Sequence, residues 1–181
     1  MRTNIIKPCL KTNKESAFSA LASAITGKSP YSDLRKDSDI TPSLSIRMKI
    51  ENPNELTFGM LGYFAGKLAD NSVRISGVNE MDKRSCKSLC GGMGTSGSCG
   101  KFILNDDEDN CEKVDFDKNE MQNIYDELNT TETGDLITLG SPQLGLEEIT
   151  DLVSRIKGRV FKKRCLLFCP RIVKEQARSL G

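Results

Sequence analysis

The amino-acid sequence predicts an α/β fold, a largely parallel sheet flanked by helices, and three observations predict it. Residues 43–50, SLSIRMKI, alternate Leu44, Ile46, Met48 and Ile50 with Ser45, Arg47 and Lys49, the period of a half-buried strand. From Asp117 onward the pattern runs helix, strand, helix, strand, helix, an order that favours parallel strands joined by right-handed helical crossovers. The length of 181 residues with 37% hydrophobic content is enough for one sizeable core and short for two.

The elements follow in order. ESAFSALASAIT, 15–26, places small and apolar residues at helical spacing, and Gly27 with Pro30 supplies a stop, after which a loop is expected to run to Asp39. The strand at 43–50 is closed by the turn NPNE. LTFGMLGYFAGKLA then puts Phe58, Leu61, Phe64, Ala65 and Leu68 on one helical stripe. Gly59, Gly62 and Gly66 interrupt that stripe, and each costs about 1 kcal/mol relative to Ala in an exposed helix, so their structural use is close approach of another backbone. VRISGV reads as a short strand. EMDKRSCKSLCGGMG reads as a helix with Met81, Cys86 and Leu89 inward, ended by Gly91 and Gly92. A Gly- and Ser-rich stretch leads into the strand KFIL, and DDEDNCEKVDFD is expected to be a solvated acidic loop. DKNEMQNIYDEL, 117–128, starts with an Asp cap and Glu120 three residues on. DLITLG, LEEITDLVSRIKG, RCLLFC and RIVKEQARSL complete the chain as strand, helix, strand and helix.

Composition narrows the function. With 26 Lys plus Arg against 25 Asp plus Glu, no bulk field points to nucleic acid or a membrane surface. The longest early apolar stretch, AFSALASAI, is nine residues, far short of the roughly 20 that span a bilayer. Residues 1–14 carry four basic residues and no acid, form an N-terminal extension and resemble a transit segment only weakly. The seven cysteines are an odd number without Cys-x-x-Cys spacing, which fits reduced thiols and a cytoplasmic location. The chain has no histidine, so the usual Ser and Cys hydrolase triads are excluded, and catalysis must draw on carboxylates, Lys, Tyr, Cys, Ser or a cofactor.

Candidate site residues sit where strands give way to helices. Gly140, Ser141, Pro142 and Gln143 follow the strand LITL, and Cys169, Pro170 and Arg171 follow the strand RCLLFC, both at the carboxyl ends where open parallel sheets carry ligands. GSPQ reads equally as a tight turn whose serine caps a helix or as a loop facing substrate. GTSGSCG, 94–100, reads as an anion-cradling nest or as a flexible loop, and it lacks the Gly-Lys-Ser/Thr ending of a phosphate loop. Cys86 and Cys90 could face one metal ion from a helix, whereas Cys165 and Cys169 on a strand are too far apart, and most of the cysteines fit as small buried hydrophobes. Arg171 is a salt-bridge arginine or a clamp for a carboxylate or phosphate.

Taken in order, SAITGKSP, FGMLGYFAGKLA, LCGGMGTSGS, DLITLGSPQLGLEEITDLVSRIKG and FCPR resemble the catalytic domain of aconitase X, the dehydratase family of phosphomevalonate dehydratase and cis-3-hydroxy-L-proline dehydratase. The resemblance runs from about Ser19 to Arg171, and it sets 15–181 apart as a partial catalytic domain. It implies an aconitase-like α/β fold, an iron-sulfur cluster as cofactor, and removal of water from a small-molecule hydroxy acid. It also implies the family's small swivelling domain or subunit as a partner. On the resemblance Ser96 and Ser141 are the catalytic candidates. Thr95 and Gly97, with Ser96, match the small-residue loop near the substrate. Lys67 matches the lysine after the Gly-Tyr-x-x-Gly stretch, and Arg171 matches an arginine able to hold an acid group. Two departures stand out: Gln143 replaces the family's histidine, and Ser141 stands where members often carry cysteine, a far better ligand for an iron-sulfur cluster. The family's opening section, its closing section with a further cluster cysteine, and its swivelling domain find no counterpart.

Overall fold

A computed structural model describes residues 17–31, 42, 44–70, 72–97, 99–105, 111–141 and 143–180. The extension at 1–14 and the loop expected beyond residue 31 lie outside the described residues. Two compact units divide between Leu128 and Asn129. The α/β class with parallel sheets flanked by helices is what the sequence predicts, although the strands form two sheets.

The first described helix, α1 (Ala17–Thr26), ends at Gly27, whose φ of +65° is the left-handed stop its sequence suggests. The sheet of the first unit is built from β1 (Leu44–Met48), β2 (Ser72–Ser76), β3 (Lys101–Leu104) and β4 (Glu112–Phe116). The strand order is β3-β2-β1-β4, with every pair parallel and Ile46 opposite both Ile75 and Val114. Three helices follow β1, β2 and β4: α2 (Glu55–Leu68), α3 (Lys83–Ser96) and α4 (Lys118–Leu128). Ile46, Val73, Ile75 and Phe116 from the sheet and Phe58, Leu61 and Leu89 from the helices lose all access to solvent. Each such side chain stabilises the fold by roughly 1.5–3 kcal/mol through burial. The Phe64 ring of α2 lies 5.4 Å from the Phe116 ring at the end of β4.

Each of α2, α3 and α4 begins where a side chain satisfies one or two of its free N–H groups. Asn54 Oδ1 accepts from Thr57 N (3.0 Å), while Asn54 N donates to Thr57 Oγ1 (3.3 Å). Asp82 Oδ1 accepts from Ser85 N (2.7 Å). The expected Asp117 cap is present, with Oδ1 accepting from Asn119 N and Glu120 N at 2.8 and 3.0 Å.

The stop expected at Gly91 and Gly92 is overturned, since α3 runs through both to Ser96. The reason lies in the facing helix. A Cβ at Gly92 would come within 3.0 Å of backbone atoms of Gly59, Gly62 and Tyr63, and one at Gly62 would come as near to the backbone of Leu89. One at Gly66 would strike Met93 and Ser96. Close backbone approach, expected for the α2 glycines, thus holds at Gly62 and Gly66 and recruits Gly92 from α3. At Gly59 a Cβ would meet only Ser88 Cβ, at 3.8 Å.

A second correction concerns the acidic stretch, half of which is β4. Its Phe116 is fully buried, and its charged Asp115 pairs across the sheet with Arg47 Nε (2.7 Å) and with Lys49 Nζ (2.5 Å). Counter-charges on and just after β1 make a strand of residues that look too charged to pair.

The second unit is smaller. Strands β5 (Leu136–Leu139) and β6 (Arg164–Leu167) pair in parallel with Ile137 opposite Cys165, followed by α5 (Leu146–Ile156) and α6 (Arg171–Ser179). Both helices are strongly amphipathic by spacing, yet neither contains a fully buried residue.

Candidate functional site

Parallel strands share one direction, so their carboxyl ends form one edge of a sheet, while the returning helices begin at that edge and end at the opposite one. In the first unit Lys67 is the next-to-last residue of α2, and Thr95 and Ser96 close α3. These residues therefore belong to the helix-end edge, away from the carboxyl ends of the strands. Gly97 lies against the carbonyl of Gly66, where a Cβ would not fit.

The functional groups of that cluster are engaged. Thr95 Oγ1 donates to Gly91 O (2.8 Å) and Ser96 Oγ to Gly92 O (3.1 Å), each back into its own helix. Of the loop expected at 94–100, residues 94–96 are thus the last turn of a helix. Lys67 Nζ bridges to Glu127 Oε2 of α4 at 2.7 Å, and Tyr63 OH donates to Glu127 Oε1 at 3.0 Å. The Lys67 ammonium holds the Glu127 carboxyl below the usual range, and Glu127 in turn raises both Lys67 and Tyr63 through the same hydrogen bonds. Lys67 stays a cation and Tyr63 a neutral phenol at physiological pH.

The carboxyl edge of the first unit carries a cleft of about 840 Å³ that motif reading missed, lined by Lys49, Glu51, Asn52, Gly77, Asn79, Glu80 and neighbouring backbone. Its rims are fixed. Gly77, at φ +77°, packs against the Met48 carbonyl, and the Asn105 side chain accepts from Val78 N (3.2 Å) and donates to Val78 O (2.5 Å). Asn105 holds a φ of +51°, a conformation that Asn tolerates better than most residues. Asp115 beside this edge is pulled down to about 2 by its hydrogen bonds to Arg47 and Lys49.

In the second unit the loops after β5 and β6 meet at the carboxyl edge. Gly140, at φ +117°, sits so close to Phe168 that a Cβ would collide with its carbonyl. Leu144 N donates to Phe168 O (2.9 Å), and Phe168 N donates to Leu139 O (2.8 Å), so the loop after β5 is clamped to the loop after β6. Gly145 N, at the start of α5, donates to Glu148 Oε2 at 2.6 Å. Ser141 is exposed on this rim, and Arg171 is exposed in the first turn of α6. A cleft of about 570 Å³ opens beside them, lined by Gln143, Ile149, Leu167, Phe168, Cys169, Lys174, Ala177 and Arg178. Lys174 and Arg178 are further residues that motif reading missed. A basic pair four apart on a short helix is a signal in the sequence, but it looks the same on any solvated face.

The described thiols do not come together as ligands of an iron-sulfur cluster. Among the described residues no three Cys, His, Asp or Glu side chains converge as metal ligands. Cys165 lies in β6, whereas Cys169 lies beyond the end of that strand at Leu167. Cys99 is buried, which pushes its thiol up to about 11, away from thiolate chemistry. Among the described residues no helix is long and apolar enough to cross a membrane.

Comparison with known proteins adds names to this geometry. Residues 42–126 match the family model of the aconitase X second domain. The chain is 30% identical over 194 residues to the phosphomevalonate dehydratase large subunit of Methanocaldococcus jannaschii, covering 94% of this chain and 47% of that protein. It is 27% identical over 176 residues to the corresponding subunit of Methanosarcina mazei, covering 92% of this chain and 44% of the relative. Cis-3-hydroxy-L-proline dehydratase of Hypocrea jecorina is 26% identical over 171 residues, 82% of this chain and 29% of its own length. Among solved structures, the holo form of Thermococcus kodakaraensis aconitase X superposes with a TM-score of 0.80 over 94% of this chain and 47% of its own, at 23% identity, a likeness of fold. The chain spans less than half the length of these relatives.

Proposed function

Taking as premise that this chain is a relative of the aconitase X proteins in sequence and fold, we propose that it serves a hydro-lyase that removes water from a hydroxy acid, of the class that includes phosphomevalonate and cis-3-hydroxy-L-proline. The observation that carries this reading is the length of the likeness: proteins named as dehydratases align over more than nine-tenths of the chain. The names of those relatives make a small subunit the proposed partner.

Elimination of water breaks a C–H and a C–O bond, so the site must hold the acid, take one proton and release a hydroxyl. Ser141 and Arg171 suit such work best, because both are exposed at the carboxyl edge of the second unit. Arg171 would hold an acid group in bidentate fashion, and the Ser141 hydroxyl would orient the substrate by donating to it. Ser96, Thr95, Gly97 and Lys67 remain proposed contacts of a different kind. The hydroxyls of Ser96 and Thr95 would first have to leave the carbonyls of Gly92 and Gly91, and Lys67 would have to leave Glu127. No step is assigned to an iron-sulfur cluster, because the described thiols do not converge.

The test incubates the full chain with iron and sulfide under anaerobic conditions, adds the small subunit of a related phosphomevalonate dehydratase, and follows consumption of phosphomevalonate and cis-3-hydroxy-L-proline. Turnover that Ser141→Ala or Arg171→Ala reduces at least about tenfold supports the reading. A folded chain that turns over neither acid rejects it. The scattered cysteines and the Ser141, Gln143 pair favour a second reading, a module that keeps the fold and binds an anion or a protein without chemistry. Turnover of either acid ends that one.

A further inference from the structure

We propose that Cys86 and Cys90 of α3 form a dithiol site that holds one thiophilic monovalent ion, Cu(I), between their two sulfurs. The residues stand four apart on the helix and so share a face, with Cβ atoms about 5–6 Å apart. The side chains meet there, since the Cys90 thiol hydrogen-bonds with the Cys86 sulfur. Cys86 packs against the hydrophobic core whereas Cys90 is exposed, so the pair straddles the edge of the core with one sulfur open to solvent. One turn further along the same face stands Gly94, where even an added Cβ would meet nothing within 4 Å. The approach to the pair from that side is clear.

Geometry separates this use from the others open to two thiols. A disulfide needs Cβ atoms about 3.5–4.5 Å apart, closer than one helical turn sets them, so oxidation would have to distort α3. An ion with metal–thiolate bonds of about 2.3 Å, the length zinc forms, sets its two sulfurs roughly 4.5 Å apart, which an undistorted helix can supply. The number of ligands then selects the ion. Two thiols are too few for a structural zinc or for an iron-sulfur cluster, each of which takes four ligands, whereas soft thiolates select Cu(I). Packing is a poor account of the pair, because the apolar side chains that α3 buries are Leu89 and Met93, and exposed Cys90 gains little from burial. Binding exchanges two S–H bonds for two S–Cu bonds, and two protons pass to solvent.

The inference does not depend on the hydro-lyase reading, since metal affinity is measured without turnover. Anaerobic titration of the full chain with Cu(I), in competition with the chromophoric chelator bicinchoninate, tests it. Cys90→Ser should weaken the tightest Cu(I) at least about hundredfold, because a single thiol loses the gain of two-point attachment. Cys165→Ser/Cys169→Ser, a control in the second unit, should leave that ion in place. Cys90→Ser/Gly94→Cys keeps the number of thiols but sets them eight residues apart, about 12 Å along the axis, and should bind as weakly as Cys90→Ser. Cys86→Ser/Gly94→Cys rebuilds a pair four apart with Cys90 and should bind within about tenfold of the parent. An equal concentration of Zn(II) should not displace the ion. Circular dichroism checks that each variant is folded, and if the change at Cys86 unfolds the chain, the variants at exposed Cys90 decide alone. Tight binding kept in Cys90→Ser or in Cys90→Ser/Gly94→Cys would overturn the proposal. So would a folded Cys86→Ser/Gly94→Cys that fails to bind, an equal loss in Cys165→Ser/Cys169→Ser, displacement by Zn(II), or no tight Cu(I) in the parent.

Discussion

Replacing Gly62 by alanine tests the α2–α3 crossing, because propensity and packing pull in opposite directions there. Alanine is the better helix former by about 1 kcal/mol, so on propensity alone Gly62→Ala would stabilise α2. The new Cβ would, however, lie within 3.0 Å of three backbone atoms of Leu89, and backbone cannot swing aside as a side chain can. Restoring ordinary contact at 3.5 Å or more means parting the helices by on the order of 1 Å. That strains or opens a core in which Leu61 and Leu89 are fully buried. Overpacking of this kind costs about 1–3 kcal/mol, and parting the helices forfeits dispersion contacts as well, so the net loss should be about 2 kcal/mol. Two controls share the chemistry without the clash: Gly59→Ala on α2 meets only Ser88 Cβ at 3.8 Å, and Gly94→Ala on α3 meets nothing within 4 Å. Both should gain several tenths of a kcal/mol. Urea denaturation followed by circular dichroism gives all three values. If Gly62→Ala were as stable as Gly59→Ala, the close backbone approach would not exist and the account of α3 would fail.

Three further outcomes are expected. Asn105→Ala should destabilise by about 1–2 kcal/mol, since it removes both hydrogen bonds to Val78 and leaves a non-glycine residue at positive φ; Asn105→Gly, which relieves the backbone, should recover part of that loss in the same melts. Asp115 has a folded pKa of about 2 against an ordinary value of 3.8, so its stabilisation is present above pH 4 and fades as the pH falls towards 2. Asp115→Asn should accordingly be less stable than the parent at pH 7, with the gap narrowing as the pH falls from 4 through 2, and a gap that did not narrow over that range would refute the ion pairing. Gly140→Ala, with its φ of +117° and a backbone collision at Phe168, should loosen the rim of the second unit, read as faster amide exchange at Leu136–Leu139, while leaving the first unit's melting unchanged.

The sequence yields most of the strands and helices because their signals are local. The alternation at 43–50, the cap at Asp117 and the strand-helix order after 117 each depend on residues a few positions apart. What it hides depends on partners far along the chain. Gly92 resembles a helix stop, since glycine commonly stands just past a helix end, and only α2, some thirty residues away, turns it into a packing surface. Glu112–Phe116 resembles a solvated loop because Arg47 and Lys49, which neutralise Asp115, belong to another strand. At the site, the rim loops at 140–143 and 169–171 are legible from strand ends alone. The engaged state of Lys67 and Ser96 is a property of neighbours that no spacing records.

All seventeen buried apolar residues among the described ones lie between Leu44 and Ile124, and this distribution sets how the molecule yields to solvent. The short sheet at 136–139 and 164–167 has no comparable reserve of burial, so its amide hydrogens should exchange through partial openings at a lower free energy than those of β1 and β2. A ligand that selects the closed form of such a region suppresses those openings by mass action. Slowed deuterium uptake at Leu136–Leu139 would therefore report occupancy of the neighbouring hollow even when no reaction occurs.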